Sequence, residues 1–252
     1  MTKKRTKKEI PPYTVLAQIY DHVMSHVNYD QWADYIVQIA SRHGNGGKRV
    51  LDLSCGTGTF CARLRDRGFT VYGFDSSFAM VRRARDKRGA RDSPFCCADL
   101  VRPAVNIKAD LVVSLYDSMN YLMAPGAWIT CLRSVSAVLG SGGLFVFDVS
   151  TVYNSLNAFR EMVQRDICDH AQYIRRSRYD ARRKIQHNDF QIQLKDDPDS
   201  LYIEKHSQRI YTLKEIEMLL KLIPLREVSR YSDFTFQPGT ETAERVHFVL
   251  KR

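Results

Sequence analysis

The chain has 252 residues, 44% hydrophobic and 26% charged, with 13 Gly, 8 Pro and 6 Cys. That composition belongs to a folded globular chain and excludes collagen-like, low-complexity and wholly disordered classes; no run approaches the roughly 18 apolar residues of a membrane-crossing helix. The 38 basic and 28 acidic residues leave a net charge of +10, which raises the question of a phosphate-rich partner.

Half of that excess lies in Lys3, Lys4, Arg5, Lys7 and Lys8. Glu9, Pro11 and Pro12 follow where a signal peptide would carry its apolar core, so a mobile basic tail on a cytoplasmic protein is expected. Residues 13–43 show helical periodicity through Val15, Leu16, Ile19, Tyr20, Val23 and Met24, then Trp32, Tyr35, Ile36 and Ile39. Gly44, Asn45, Gly46 and Gly47 form a loop. Arg49–Leu53 reads as a buried strand, and a helix runs on to about Arg67. Val71–Asp75 is a second strand, with Ser76 placed to cap a helix from about Ser77 to Lys87. The run Arg82, Arg83, Arg85, Lys87, Arg88 and Arg91 reads as the solvated face of that helix.

The alternation continues with strands at Pro94–Asp99 and Ala109–Leu115, a helix near Ala127–Leu139 ending at Gly140, and a strand at Gly143–Val149. Apolar strands alternating with helices predict an α/β fold, a doubly wound, Rossmann-like, mostly parallel sheet covered on both faces. After residue 165 the rhythm changes. Gln172–Asp180, Lys184–Lys195 and Leu201–Tyr211 alternate without helices between them, and Asp196–Ser200 is turn chemistry. A small antiparallel sheet inserted into the parallel one is expected. Thr212 and Glu215 spell a capping box, and two strands near Leu225–Phe234 and Arg245–Lys251 close the chain. The organisation predicted is a basic tail and helical lid at 1–45 and an α/β core at 46–164. Inserted strands at 165–211 and a C-terminal return to the core at 212–252 complete it.

The informative stretch is Val50–Thr59, a strand followed by a glycine turn. Gly56 and Gly58 let the backbone approach a ligand closely. Asp52 ends the strand and either anchors the turn or reaches a cationic ligand group. Asp75 ends the second strand, 19 residues after Gly56, where a carboxylate can take two ribose hydroxyls. Asp99 ends the third, within reach of an exocyclic amine. The dinucleotide fingerprint wants a third glycine where Cys61 stands.

Leu51–Cys55 ahead of Gly56, the ribose acid, the Asp99–Leu100 pair and the strand order over residues 50–150 together resemble class I S-adenosylmethionine-dependent methyltransferases. Tyr13, Ala17, Tyr20 and Asp21, then Tyr29, Asp30 and Trp32, look like the N-terminal lid of a bacterial branch of that family. Asp117–Tyr121 and Arg209–Glu215 resemble the same branch. Ser54 replaces a glycine common in the family. No Asn-Pro-Pro-Tyr or Asp-Pro-Pro-Tyr motif follows the fourth strand, which lowers the weight of base and glutamine amine methylation.

The resemblance implies a cofactor, S-adenosyl-L-methionine, held by Tyr20, Asp52, Ser54, Cys55, Gly56, Gly58, Asp75, Ser76, Met80, Asp99, Leu100, Leu115 and Tyr116. The acceptor candidates are Tyr13, Tyr29, Asp117, Asn120, His206, Arg209 and Tyr211, with Arg209 and Tyr211 sharing a face of an uninterrupted strand. Cys55, Cys61, Cys96, Cys97, Cys131 and Cys168 read as reduced residues. With His22, His26, His43, His170, His187 and His247 they show no ligand spacing, so no metal is expected. Transfer to a nitrogen or oxygen of a small molecule is the first function expected. An RNA methyltransferase and a non-catalytic cofactor-binding protein are the alternatives.

Overall fold

The computed structural model describes residues 5–87, 95–102 and 107–252. In chain order come β1 (Thr6–Ile10), α1 (Leu16–Val23), α2 (Tyr29–His43), β2 (Arg49–Asp52), α3 (Thr59–Asp66), β3 (Thr70–Asp75) and α4 (Phe78–Asp86). Next are β4 (Phe95–Cys97), β5 (Ala109–Ser114), a 3-10 turn (Ser118–Tyr121), α5 (Pro125–Val138), β6 (Leu139–Ser150) and α6 (Val152–Asn157). The chain ends with β7 (Glu161–Ile167), β8 (Ala171–Asp180), β9 (Ile185–Leu194), β10 (Ser200–Arg209), α7 (Leu213–Leu220), β11 (Arg226–Ser232) and β12 (Arg245–Lys251).

The larger sheet has the order β11-β12-β6-β5-β2-β3-β4, parallel from β6 to β4 and antiparallel at β12 and β11. Strand order reverses between β2 and β5, the place where an open α/β sheet binds its ligand. Both faces are buried because both phases of each strand are apolar. Leu51, Val112, Phe145 and Phe147 pack toward α5 and α7 around Trp128 and Ile216. Val50, Val71, Leu111, Val113 and Val146 pack the other way against Trp32, Ile36, Ile39, Leu64 and Val81 of α2, α3 and α4.

The second sheet is antiparallel from β7 to β10. Its inner face carries Ala171, Tyr173, Phe190, Ile192 and Leu194 against Val15, Leu16, Ile19 and Val23 at and within α1. The lid helix is thus the apolar cover of the inserted sheet.

Four details differ from the expected elements. Residues 6–10, expected as mobile tail, form β1, which pairs in parallel with β10 from Thr6↔Ser200 to Ile10↔Glu204. The inserted strands begin at Glu161, so the expected boundary at 165 falls inside β7. Ser77, not Ser76, caps α4, its hydroxyl accepting the Met80 N–H at 3.2 Å. Strand β10 ends at Arg209 and does not run on to Tyr211. Lys3, Lys4, Arg88, Arg91 and Pro94 lie outside the described residues. Thr212 and Glu215 form the predicted capping box. Among the described residues no helix is long and apolar enough to cross a membrane. None of their side chains form a metal-binding cluster.

Candidate active site

The turn between β2 and α3 is built by backbone that only glycine adopts freely. Gly56 has φ +53° and Gly58 φ +78°, and a β-carbon on Gly58 would meet the Phe95 ring at 3.0 Å and Ala84 at 3.1 Å. The turn is tied to its neighbours by Leu53 N–H to the Val113 carbonyl (2.9 Å) and Cys55 N–H to the Phe74 carbonyl (2.8 Å). Asp75, at the end of β3, accepts the Gly56 N–H through Oδ2 and the Ser77 N–H through Oδ1, both at 2.9 Å. A carboxylate offers about four lone-pair sites, so both oxygens keep capacity for a pair of ribose hydroxyls. Asp52 is buried at the root of the turn. It accepts the Ser54 N–H (3.1 Å) and the Cys61 thiol (3.3 Å), and burial pushes its carboxyl up to about 7.

A narrow cleft opens above this turn. Its walls bring together the predicted Tyr20, Asp52, Ser54, Cys55, Gly56, Leu115, Tyr116 and Tyr29. They also include Trp32, Thr57, Thr59 and Phe60, which the motif reading left without a role. Gly58, Asp75, Ser76, Met80, Asp99 and Leu100 lie outside these walls. Met80 is buried under α4, and Asp99 is exposed beyond β4 with its Oδ1 accepting the Val101 N–H at 2.8 Å.

The lid reaches the turn through a contact that charge counting missed. Thr57 donates its hydroxyl to Asp21 of α1 at 2.5 Å, and Lys87 Nζ lies 2.9 Å from both. Lys87 was assigned to a solvated helix face, but it closes the lid. The Tyr20 ring stands 3.7 Å from where a Gly56 β-carbon would be.

The far wall rests on two consecutive left-handed residues, Tyr116 (φ 60°) and Asp117 (φ 52°). Such backbone is strained for side-chain-bearing residues. The fully buried Asp148 holds it by accepting both N–H groups, at 2.7 and 2.8 Å. Arg245 pairs with Asp148 and, at 3.0 Å, with Asp117, and its guanidinium lies 4.9 Å from the Tyr116 ring centre. Gln208 donates to Asp117 at 2.5 Å.

Alternation along β10 turns Glu204, His206 and Gln208 inward. Tyr13 and Tyr121 share a hydroxyl hydrogen bond of 2.7 Å, and Tyr121 meets His206 Nδ1 at 3.1 Å. Glu204, on the same face by the period of two, was legible in the sequence and was overlooked.

Of the acceptor candidates Tyr29 lines the cleft, while Tyr13, Asp117 and His206 stand outside its walls in the hydrogen-bonded groups just described and three more are placed elsewhere. Arg209 falls on the opposite phase from His206, pairs with Glu215 at 3.6 Å and covers the Tyr211 ring. Tyr211 lies beyond the end of β10 in the core, 1% exposed, with its ring beside Trp128 and its hydroxyl donating to the Leu122 carbonyl at 2.9 Å. Asn120 is fully buried and bridges the Arg209 carbonyl (2.8 Å) and the Ser150 N–H (3.1 Å). These contacts hold the fold; none of the three lines the cleft.

Residues 23–193 match the family model of the methyltransferase domain. The protein YqeM of Bacillus subtilis, a methyltransferase by name, is 30% identical over 244 residues, covering 95% of this chain and 97% of its own. The crystal structure of an S-adenosylmethionine-dependent methyltransferase from Clostridium acetobutylicum superposes with a TM-score of 0.80 at 24% identity, covering 95% of this chain and 98% of that one. The sugar N-methyltransferase KedS8 from Streptoalloteichus superposes at 0.74 with 17% identity, over 91% and 92% of the two chains. With the glycine turn, the strand-end acid and the order of the parallel sheet, these likenesses show that the chain belongs to the class I S-adenosylmethionine-dependent methyltransferases.

Proposed function

We infer that this methyltransferase acts on a nitrogen or oxygen of a small molecule enclosed between the glycine turn, the lid and the inserted sheet. The observation that carries this reading is the double fastening of α1. Asp21 ties it to Thr57 below, and Glu204 of the inserted sheet binds its first turn from above. A chamber closed on those sides suits a small acceptor. The arginine run gives little to an RNA surface, since Arg83 donates to the Gln18 carbonyl (2.9 Å) and Arg85 to the Phe95 carbonyl (3.0 Å). The sugar N-methyltransferase fold neighbour supports the same class of acceptor.

S-adenosylmethionine supplies an electrophilic methyl group on a sulfonium. The chain's residues align it and the acceptor, which is the largest contribution open to a protein in an in-line displacement. The turn at Gly56, with Asp75 beyond it, would hold the nucleoside, and Asp52 would lie toward the methionine part. Tyr20, Tyr29 and Tyr116 present aromatic walls that favour a cation. Where the acceptor must lose a proton, we assign its route to the Tyr13–Tyr121 hydroxyl pair and on to His206, a part-buried hydrogen-bonded chain.

The test is incubation with methyl-labelled donor and fractionated cell extract. Label in the low-molecular-mass filtrate is expected. Label confined to RNA or protein overturns the small-molecule reading.

A further inference from the structure

Two arginines lie behind the tyrosines of the chamber, Arg245 with its guanidinium 4.9 Å from the Tyr116 ring centre and Arg175 close enough to act on Tyr116 and Tyr121, and their surroundings differ in one respect. Arg245 is neutralised twice, by Asp117 and Asp148. Arg175, on the inner face of β8, has no carboxylate within ion-pair distance among the described residues. Its Nε and Nη2 both donate to Oδ1 of Asn188 on β9, at 3.3 and 2.9 Å, and Ser177 donates its hydroxyl to that same oxygen at 2.6 Å. The Phe159 and Phe190 rings flank the guanidinium, with centres 5.3 and 5.7 Å away. A neutral amide and two rings thus fix the direction of the guanidinium and leave its charge intact. Nη1 makes no hydrogen bond with a described residue.

The sheet register aims this cation at the acceptor side. Ser177, Asn188 and His206 form one row across β8, β9 and β10, and Arg175, Phe190 and Glu204 form the next. His206 in the first row touches Tyr121, and Glu204 in the second holds the start of the lid. Arg175 also acts on the phenols of Tyr116 and Tyr121, opposing the upward push of burial on both. A half-buried, pre-oriented guanidinium with free donors is built to receive a carboxylate or phosphate in a two-pronged contact.

We propose that Arg175, oriented by Asn188, is the anion-binding residue of the acceptor site, and that the acceptor carries a carboxylate or phosphate group apart from the atom methylated. The proposal rests on the small-molecule reading and narrows it to anionic acceptors. It also gives the inserted sheet a binding role besides covering the lid.

The experiment is calorimetric titration of the protein loaded with S-adenosylhomocysteine, in low-salt chloride buffer, using pyrophosphate as one probe and succinate as the other. Wild type is expected to bind at least one of them, and which one binds distinguishes a phosphate from a carboxylate acceptor. Arg175→Gln should weaken that binding about 10- to 100-fold, the range for a charge-assisted contact, and Arg175→Lys should weaken it less. Asn188→Asp, which gives Arg175 an internal carboxylate, should abolish probe binding while the arginine stays in place. All three variants should bind S-adenosylhomocysteine as wild type does. Failure of wild type to bind either probe, or binding as tight as wild type by Arg175→Gln or by Asn188→Asp, overturns the proposal. Failure of wild type to bind S-adenosylhomocysteine at all is a separate result that overturns the underlying reading and the proposal with it.

Discussion

The Glu204 carboxylate, fully buried on β10, accepts the N–H of Val15 at the start of α1 at 2.6 Å. The same oxygen takes the Leu16 N–H at 2.8 Å, and the other takes that of Tyr13 at 2.6 Å. The first N–H groups of a helix have no partner within it and carry partial positive charge. One acid from the inserted sheet therefore supplies the cap that Val15, an apolar residue, lacks.

Replacing that acid separates its two oxygens. Glu204→Gln keeps one carbonyl oxygen for Val15 and Leu16 and loses the Tyr13 contact, so a cost of about 1–2 kcal/mol is expected. Glu204→Ala leaves three buried donors and should cost about 3 kcal/mol or more, read as a melting temperature lower by roughly 6–12 °C. Equal melting of Ala and wild type would contradict the cap.

Asp52 makes stability and ligand binding depend on pH. Its carboxyl rises from 3.8 in the unfolded chain to about 7 in the fold, because burial disfavours its charge. Between those values the folded state holds more protons than the unfolded one, so stability falls as pH rises from about 4 to about 7. Asp52→Asn should flatten that slope in denaturation curves. A cationic ligand group beside Asp52 lowers its pKa, so donor binding just below pH 7 should expel a proton. Titrations in buffers of different ionisation enthalpy should show this in wild type and not in Asp52→Asn.

Tyr211 separates packing from chemistry. Tyr211→Phe removes the bond to the Leu122 carbonyl and should lower stability by about 1 kcal/mol. Methyl transfer by the folded protein should be unchanged. A selective loss of transfer with unaltered stability would return Tyr211 to the acceptor site.

The parts of the fold legible in the sequence are those fixed by local pattern. Apolar strands such as Val50–Leu53, the Gly56 and Gly58 turn and the Thr212–Glu215 box each carry their own signal, and all stand where expected. Strand β1 was not legible because Thr6–Ile10 has no apolar alternation. It is held by the edge of β10, and its lysines suit an exposed edge. Tyr211 was misplaced for a related reason, since a period of two assigns faces only while the strand continues, and β10 stops at Arg209; Arg209, three residues from His206, falls on the opposite face by that same period. Glu204 shows the converse. Its face could be read from its spacing to His206, but the distant helix start it binds could not.

The central claim is that the turn at Gly56, with Asp75 above it, holds the methyl donor. Calorimetric titration with S-adenosylhomocysteine tests it most directly, on wild type, Asp75→Asn and Asp75→Ala, each checked for folding by its melt. Wild type should bind one molecule per chain. Asp75→Ala should bind about tenfold or more weakly, as expected when charge-assisted hydrogen bonds are lost, with Asp75→Asn between the two. Binding by folded Asp75→Ala as tight as that of wild type would contradict the account.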